Sequence, residues 1–184
     1  MSDASLSGPG VIQCVQESFR QLIADCHGWR DWQGCGRDRD AALMAIYHDA
    51  LPPPRDMGVE RSVAELSRLR PFAIVSTDPF GGYRMDFDAA IDFTARGRLR
   101  LLIEQDRPSE TFADPSKADT LARASLGHLI YTGDPDKPGI VELVKDSRMQ
   151  ITGITASGPM SPEDEEIEAY GECQWLQLDI EWQL

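Results

Sequence analysis

The chain has 184 residues, 41% of them hydrophobic and 8% aromatic, and its 18 Lys and Arg against 31 Asp and Glu leave a net charge of −13. That length suits one domain with a real core and is short for two. The apolar fraction excludes wholesale disorder, and the acidity excludes a non-specific nucleic-acid binder or a protein held to an anionic membrane by charge. A channel through which nucleic acid passes without sticking is compatible with it.

Residues 1–10 are rich in Ser, Gly and Pro and read as a flexible arm. They lack the basic start and apolar stretch of a secretory signal, and nowhere is there an apolar run of about 18 residues that would span a bilayer. From Val11 the apolar positions Val15, Phe19, Leu22, Ile23 and Cys26 fall three and four apart, the spacing of one helical stripe, with Gly28 as its stop. The two tryptophans Trp29 and Trp32 then fall in a Gly-rich turn. Asp38 or Asp40 caps a second short helix with Ala41, Met44, Ala45 and Tyr47 inward, and Pro52, Pro53 and Pro54 end it. Val63, Leu66 and Leu69 carry helical spacing again.

The middle reads as β. Residues 71–76 form a short apolar run, a buried strand. A turn follows at Phe80, Gly81 and Gly82. Met85, Phe87, Ala89, Ile91 and Phe93 then alternate with polar neighbours as one half-buried strand, Ala95, Arg96 and Gly97 turn, and residues 98–104 return to complete a long hairpin. A helix opens at Ser116 with Leu121, Ala122, Ser125, Leu129 and Ile130 as its buried stripe. Residues 140–145 suggest a further helical turn or two. Met149, Ile151 and Ile154 suggest a strand with Gly153 as a bulge. After an acidic loop at 161–168, Leu176, Leu178, Ile180, Trp182 and Leu184 mark a last alternating strand. The order predicts an α+β fold, with a largely antiparallel sheet of about five strands packed against two or more helices in a single domain over 11–184.

No catalytic, metal or cofactor site emerges from the motifs. Cys14, Cys26, Cys35 and Cys173 include no Cys-x-x-Cys, so free thiols are expected, and a zinc site built from Cys14, Cys26, His27 and Cys35 has the wrong ligand spacing. His27, His48 and His128 fall in no His-Glu-x-x-His pattern, and Ser125 lacks the nucleophile elbow. Gly81 and Gly82 precede no Lys-Ser/Thr, so no phosphate loop is formed. Glu142 and Lys145 read as an i,i+3 ion pair. The acidic residues 163–168 lack the calcium-loop pattern, and Trp29 and Trp32 lack the basic interleaving of a base-stacking surface. Asp86, Asp88 and Asp92 share one face of the expected strand, which period two makes its solvated face.

Residues 70–76 (RPFAIVS), 97–104 (GRLRLLIE), 126–130 (LGHLI) and 175–182 (WLQLDIEW), preceded by the first helix and the 41–47 stretch, occur in an order that resembles the tail terminator (tail completion, minor tail) family of long-tailed bacteriophages and prophages. The resemblance spans roughly Val11 to Leu184. It implies a structural virion protein without catalysis or cofactor, which associates with itself as a ring, commonly a hexamer. The ring caps the tail tube, ends its polymerisation and offers the surface for the head–tail connector protein. It further implies a place in the virion at the head–tail junction after synthesis in the host cytoplasm, with tail tube protein and connector as partners. DNA passes the lumen without specific binding and no membrane is involved. An acidic lumen repels phosphate and lets DNA slide. The hairpin over 84–98, with Asp86, Asp88, Asp92, Arg96 and Arg98, is the candidate subunit-contact or lumen element. The alternatives are a head-completion stopper or minor tail connector subunit and, in another class, a small acidic enzyme or ligand-binding domain. A DNA mimic is a further one.

Overall fold

The three-and-four spacing becomes helix α1 (Val11–Asp25), whose buried side carries Val15, Phe19, Leu22 and Ile23. The computed structural model describes residues 10–52, 61–77, 83–87, 93–145 and 149–184. Apart from Gly10, the expected arm lies outside them, as do Pro53, Pro54 and the turn at 80–82. Helix α2 (His27–Trp32) follows α1 at once and contains Gly28, so this glycine is no stop. A Cβ there would come within 2.9 Å of the His128 carbonyl oxygen, so glycine is what permits the close approach of the two segments. Helix α3 (Arg39–Met44) is capped by Asp38, whose side chain accepts the Ala41 N–H at 3.0 Å. Its buried residue is Ala42, and Met44, expected inside, is 75% exposed. Tyr47 belongs to a strand that the sequence reading missed, β1 (Ile46–His48).

Helix α4 (Val63–Leu69) begins with a reciprocal cap in which Ser62 and Glu65 take each other's backbone N–H. Strand β2 (Phe72–Thr77) is the apolar run. Then β3 (Tyr83–Phe87) and β4 (Phe93–Asp106) pair antiparallel, with Phe87 opposite Phe93 and Tyr83 opposite Gly97. The chain therefore reverses between Phe87 and Phe93, and the alternation over 85–93 is not one strand. Ala95, Arg96 and Gly97, read as a turn, lie inside β4.

Helix α5 (Pro115–Ile130) has proline in its first turn and Asp114 as cap. It buries Ala118, Ala122, Leu126 and Leu129, while Leu121 of the predicted stripe is 46% exposed. Helix α6 (Ile140–Val144), strand β5 (Gln150–Met160), helix α7 (Ile167–Tyr170) and strand β6 (Cys173–Gln183) complete the chain. The expected bulge is present as a register shift between Ile151 and Gly153.

The sheet runs β1-β2-β4-β6-β5, with β3 beside the hairpin end of β4. Among the described strands, only β1 and β2 pair parallel. This is the expected α+β, largely antiparallel fold, with six strands among the described residues. One sheet face supplies Ala73, Val75, Ala95, Leu99, Leu101, Ile103, Leu176, Leu178, Ile180 and Trp182 to the core. Helix α1 lies over β1 and β2, and α5 and α6 lie over β5. Helices α4 and α7 sit on the opposite face at one end, where Ser67 donates to Asp106 at 2.5 Å and the Tyr170 and Trp175 rings meet edge-on at 5.6 Å. The expected packing of one sheet against helices thus gains a small outer cap.

Candidate functional site

Alternation along β4 sends Ala95, Leu99, Leu101 and Ile103 inward, so Arg96, Arg98, Arg100, Leu102, Glu104 and Asp106 occupy the outer face. The order passes from basic at the hairpin end to acidic at the other. Across β6, Arg98 stands opposite Glu181 and Arg100 opposite Asp179. Arg98 Nη2 meets Glu181 Oε1 at 2.8 Å, and Arg100 Nε meets Asp179 Oδ1 at 3.2 Å. Gln177 Nε2 donates to Asp179 Oδ2 at 2.8 Å. The Arg98 and Glu181 side chains are 54% and 48% exposed, so solvent screens their attraction.

At the acidic end the same face closes. Arg70, the residue after α4, is buried and donates from Nε to Glu104 Oε1 at 2.7 Å and from Nη1 to Asp106 Oδ1 at 3.0 Å. The second Glu104 oxygen accepts from Trp175 Nε1 at 3.0 Å. Burial by itself would loosen the Arg70 proton, but the Glu104 and Asp106 carboxylates outweigh it and hold the guanidinium charged. Burial pushes the neighbouring Cys173 thiol up to about 11, against the opposing pull of Arg70.

Among the predicted site residues, Asp86 lies on β3 opposite Thr94. Asp88 and Asp92 lie outside the described residues. Arg96 is exposed and faces Arg84 on β3 and Gln183 on β6. Of the three acids, only Asp86 is on a described strand, and β3 ends at Phe87. The structure instead gathers Arg84, Arg96, Arg98 and Arg100 on one sheet face.

The other candidates have local partners. Trp29 is buried and donates to the Ala42 carbonyl at 3.0 Å, while Trp32 donates to Gln105 at 2.6 Å, so both indoles serve packing. His27 meets Asp31 at 3.0 Å and His48 meets Glu17 at 2.8 Å. The four cysteines form no disulfide, and no metal-holding cluster occurs among the described residues. Glu142 accepts the N–H groups of Thr132, Gly133 and Gly139 at 3.1, 2.8 and 3.0 Å, so it fixes the loop before α6 in place of the expected ion pair with Lys145. That loop and Lys145 line a hollow of about 470 Å³. The acidic residues 163–166 are exposed.

The Arg70 network was missed by motif reading. Its trace in the sequence is Glu104, a carboxylate closing an apolar strand, together with an arginine just before β2.

No protein-family model matches this chain, and no curated protein matches it. A solved structure titled "Virion of native gene transfer agent (GTA) particle" contains a chain similar to this one at 18% identity. The similarity covers 88% of this chain and 94% of that one, with a TM-score of 0.27. A likeness at that score carries no argument about what this chain does.

Proposed function

We propose that this chain is a structural virion subunit that caps a phage tail tube as a ring, ends tube polymerisation and forms the head–tail joining surface, with no reaction of its own. The reading rests first on the sequence resemblance. One structural observation gives it weight: the segments that carry the resemblance fold into β2, β4 and β6, three neighbouring strands at the centre of the sheet, and into the C-terminal half of α5. They are parts of one framework and not scattered matches. Strand β5 has β6 as its one partner among the described strands, and an unpaired edge is a pairing surface suited to assembly.

In this reading the 84–98 hairpin, including Arg96 and Arg98, lies at a subunit contact or faces the lumen, and the net charge of −13 keeps DNA from adhering as it passes. The test is to add the purified chain to polymerising tail-tube subunits and to measure tube lengths by negative-stain microscopy. Shortened tubes with extra ring density at one end are expected. Unchanged lengths with bare ends would overturn the proposal.

A further inference from the structure

We propose that β5 is a strand-addition edge for a second copy of this chain, receiving the β3 edge of its neighbour in a head-to-tail contact. The proposal deepens the ring reading and rests on it. Strand β5 ends the sheet, with β6 on one side. No backbone hydrogen bond from outside the sheet reaches residues 150–160 among the described residues. Its 11 residues, QITGITASGPM, include no charged side chain, in a chain that is 27% charged. Exposed edge strands are ordinarily guarded by charges, bulges or proline. Here the register shifts lie at Ile151/Gly153 and Ser157/Met160, and Pro159 lies within the second. Residues 153–157 between them keep a regular register with β6, and Thr155, Ala156 and Ser157 are exposed.

The opposite edge fits in length, direction and charge. Strand β3 has five residues and pairs with β4 alone among the described strands. It runs antiparallel to β4, β4 antiparallel to β6, and β6 antiparallel to β5. A neighbour that continues the sheet without inversion therefore presents β3 antiparallel to β5. On the outer face, β5 stands beside Asp179 and Glu181, which form solvent-reached pairs with Arg100 and Arg98 of β4 and have the uncharged Thr155 and Gly153 opposite them on β5. The neighbour's β3 brings Arg84 to the same face, two strands or roughly 10 Å from those acids and within about one screening length. A two-fold pairing of β5 with another β5 would bring no further arginine that near. Joining one edge to a different edge is heterologous, the kind of contact that closes into a ring.

The experiment is hydrogen exchange on the purified full chain at low and high protein concentration, read beside its native mass. The comparison is a variant with Thr155→Lys and Ser157→Lys, two exposed positions whose change leaves the core intact. Its own exchange in β4 and β6 verifies that it folds. Expected is an oligomer larger than a dimer in which amides of 153–157 exchange about tenfold more slowly than in the monomer, together with a variant that stays monomeric. An oligomer with unchanged exchange in β5 would overturn the edge and leave the ring reading standing. A protected β5 in a dimer would overturn the head-to-tail pairing. A monomer at every concentration would overturn the edge and the ring reading together.

Discussion

The two ends of the outer sheet face are built from the same residue types and behave as opposites. At the hairpin end, Arg98 with Glu181 and Arg100 with Asp179 form cross-strand rungs that solvent reaches. At the other end, Arg70 is buried, its side chain 1% exposed, and meets Glu104 beneath α4 and α7. Exposed rungs contribute little because water competes for each partner. A buried pair contributes little net attraction as well, yet removing one partner strands the other charge in a low-dielectric site. The closed end therefore depends on completeness, and the open end is free to exchange its partners for those of another molecule.

Breaking the closed end should have the largest effect. Arg70→Ala leaves Glu104 buried without its cation and is expected to cost about 3–5 kcal/mol in urea unfolding. Nearly as large is the loss on the inner face, where Leu101 is fully buried. Leu101→Ala should cost about 2–5 kcal/mol through lost burial and the cavity left.

A smaller effect should appear with pH. Burial raises the Glu142 pKa, but the amides of Gly133, Thr132 and Gly139 outweigh it and hold the carboxyl below the ordinary glutamate value. Its contribution is fully present above that ordinary value and fades as pH falls through the lowered one. Glu142→Gln should therefore be less stable than the parent at neutral pH, with the gap narrowing in acid. The smallest effect belongs to the open end, where Arg98→Ala should cost less than about 1 kcal/mol and less still in high salt.

Much of the fold was legible because local rules decided it. Asp38 caps α3, Gly153 marks the bulge, and the period of β6 is that of a strand with one face buried. What failed depended on distant partners. Strand β1 is three residues long and exists only beside β2. Gly28 reads as a helix stop, but its size is set by the His128 carbonyl, a hundred residues away. The hairpin was misplaced because alternation counts residues and does not see where a chain reverses, and residues 88–92 sustain the period between two strands. Arg96 was read into a turn, and only the full extent of β4 gives the parity that sends Arg96 and Arg98 outward. Their strand partners were not legible either, because register with β6 is a tertiary fact.

The claim at the centre of this account is that the chain acts by associating with itself. Light scattering of the purified protein across concentration, at two salt levels and with negative-stain images of each peak, tests it most directly. Rings of about six subunits are predicted, whereas a monomer whose mass does not change with concentration at either salt level would contradict the account.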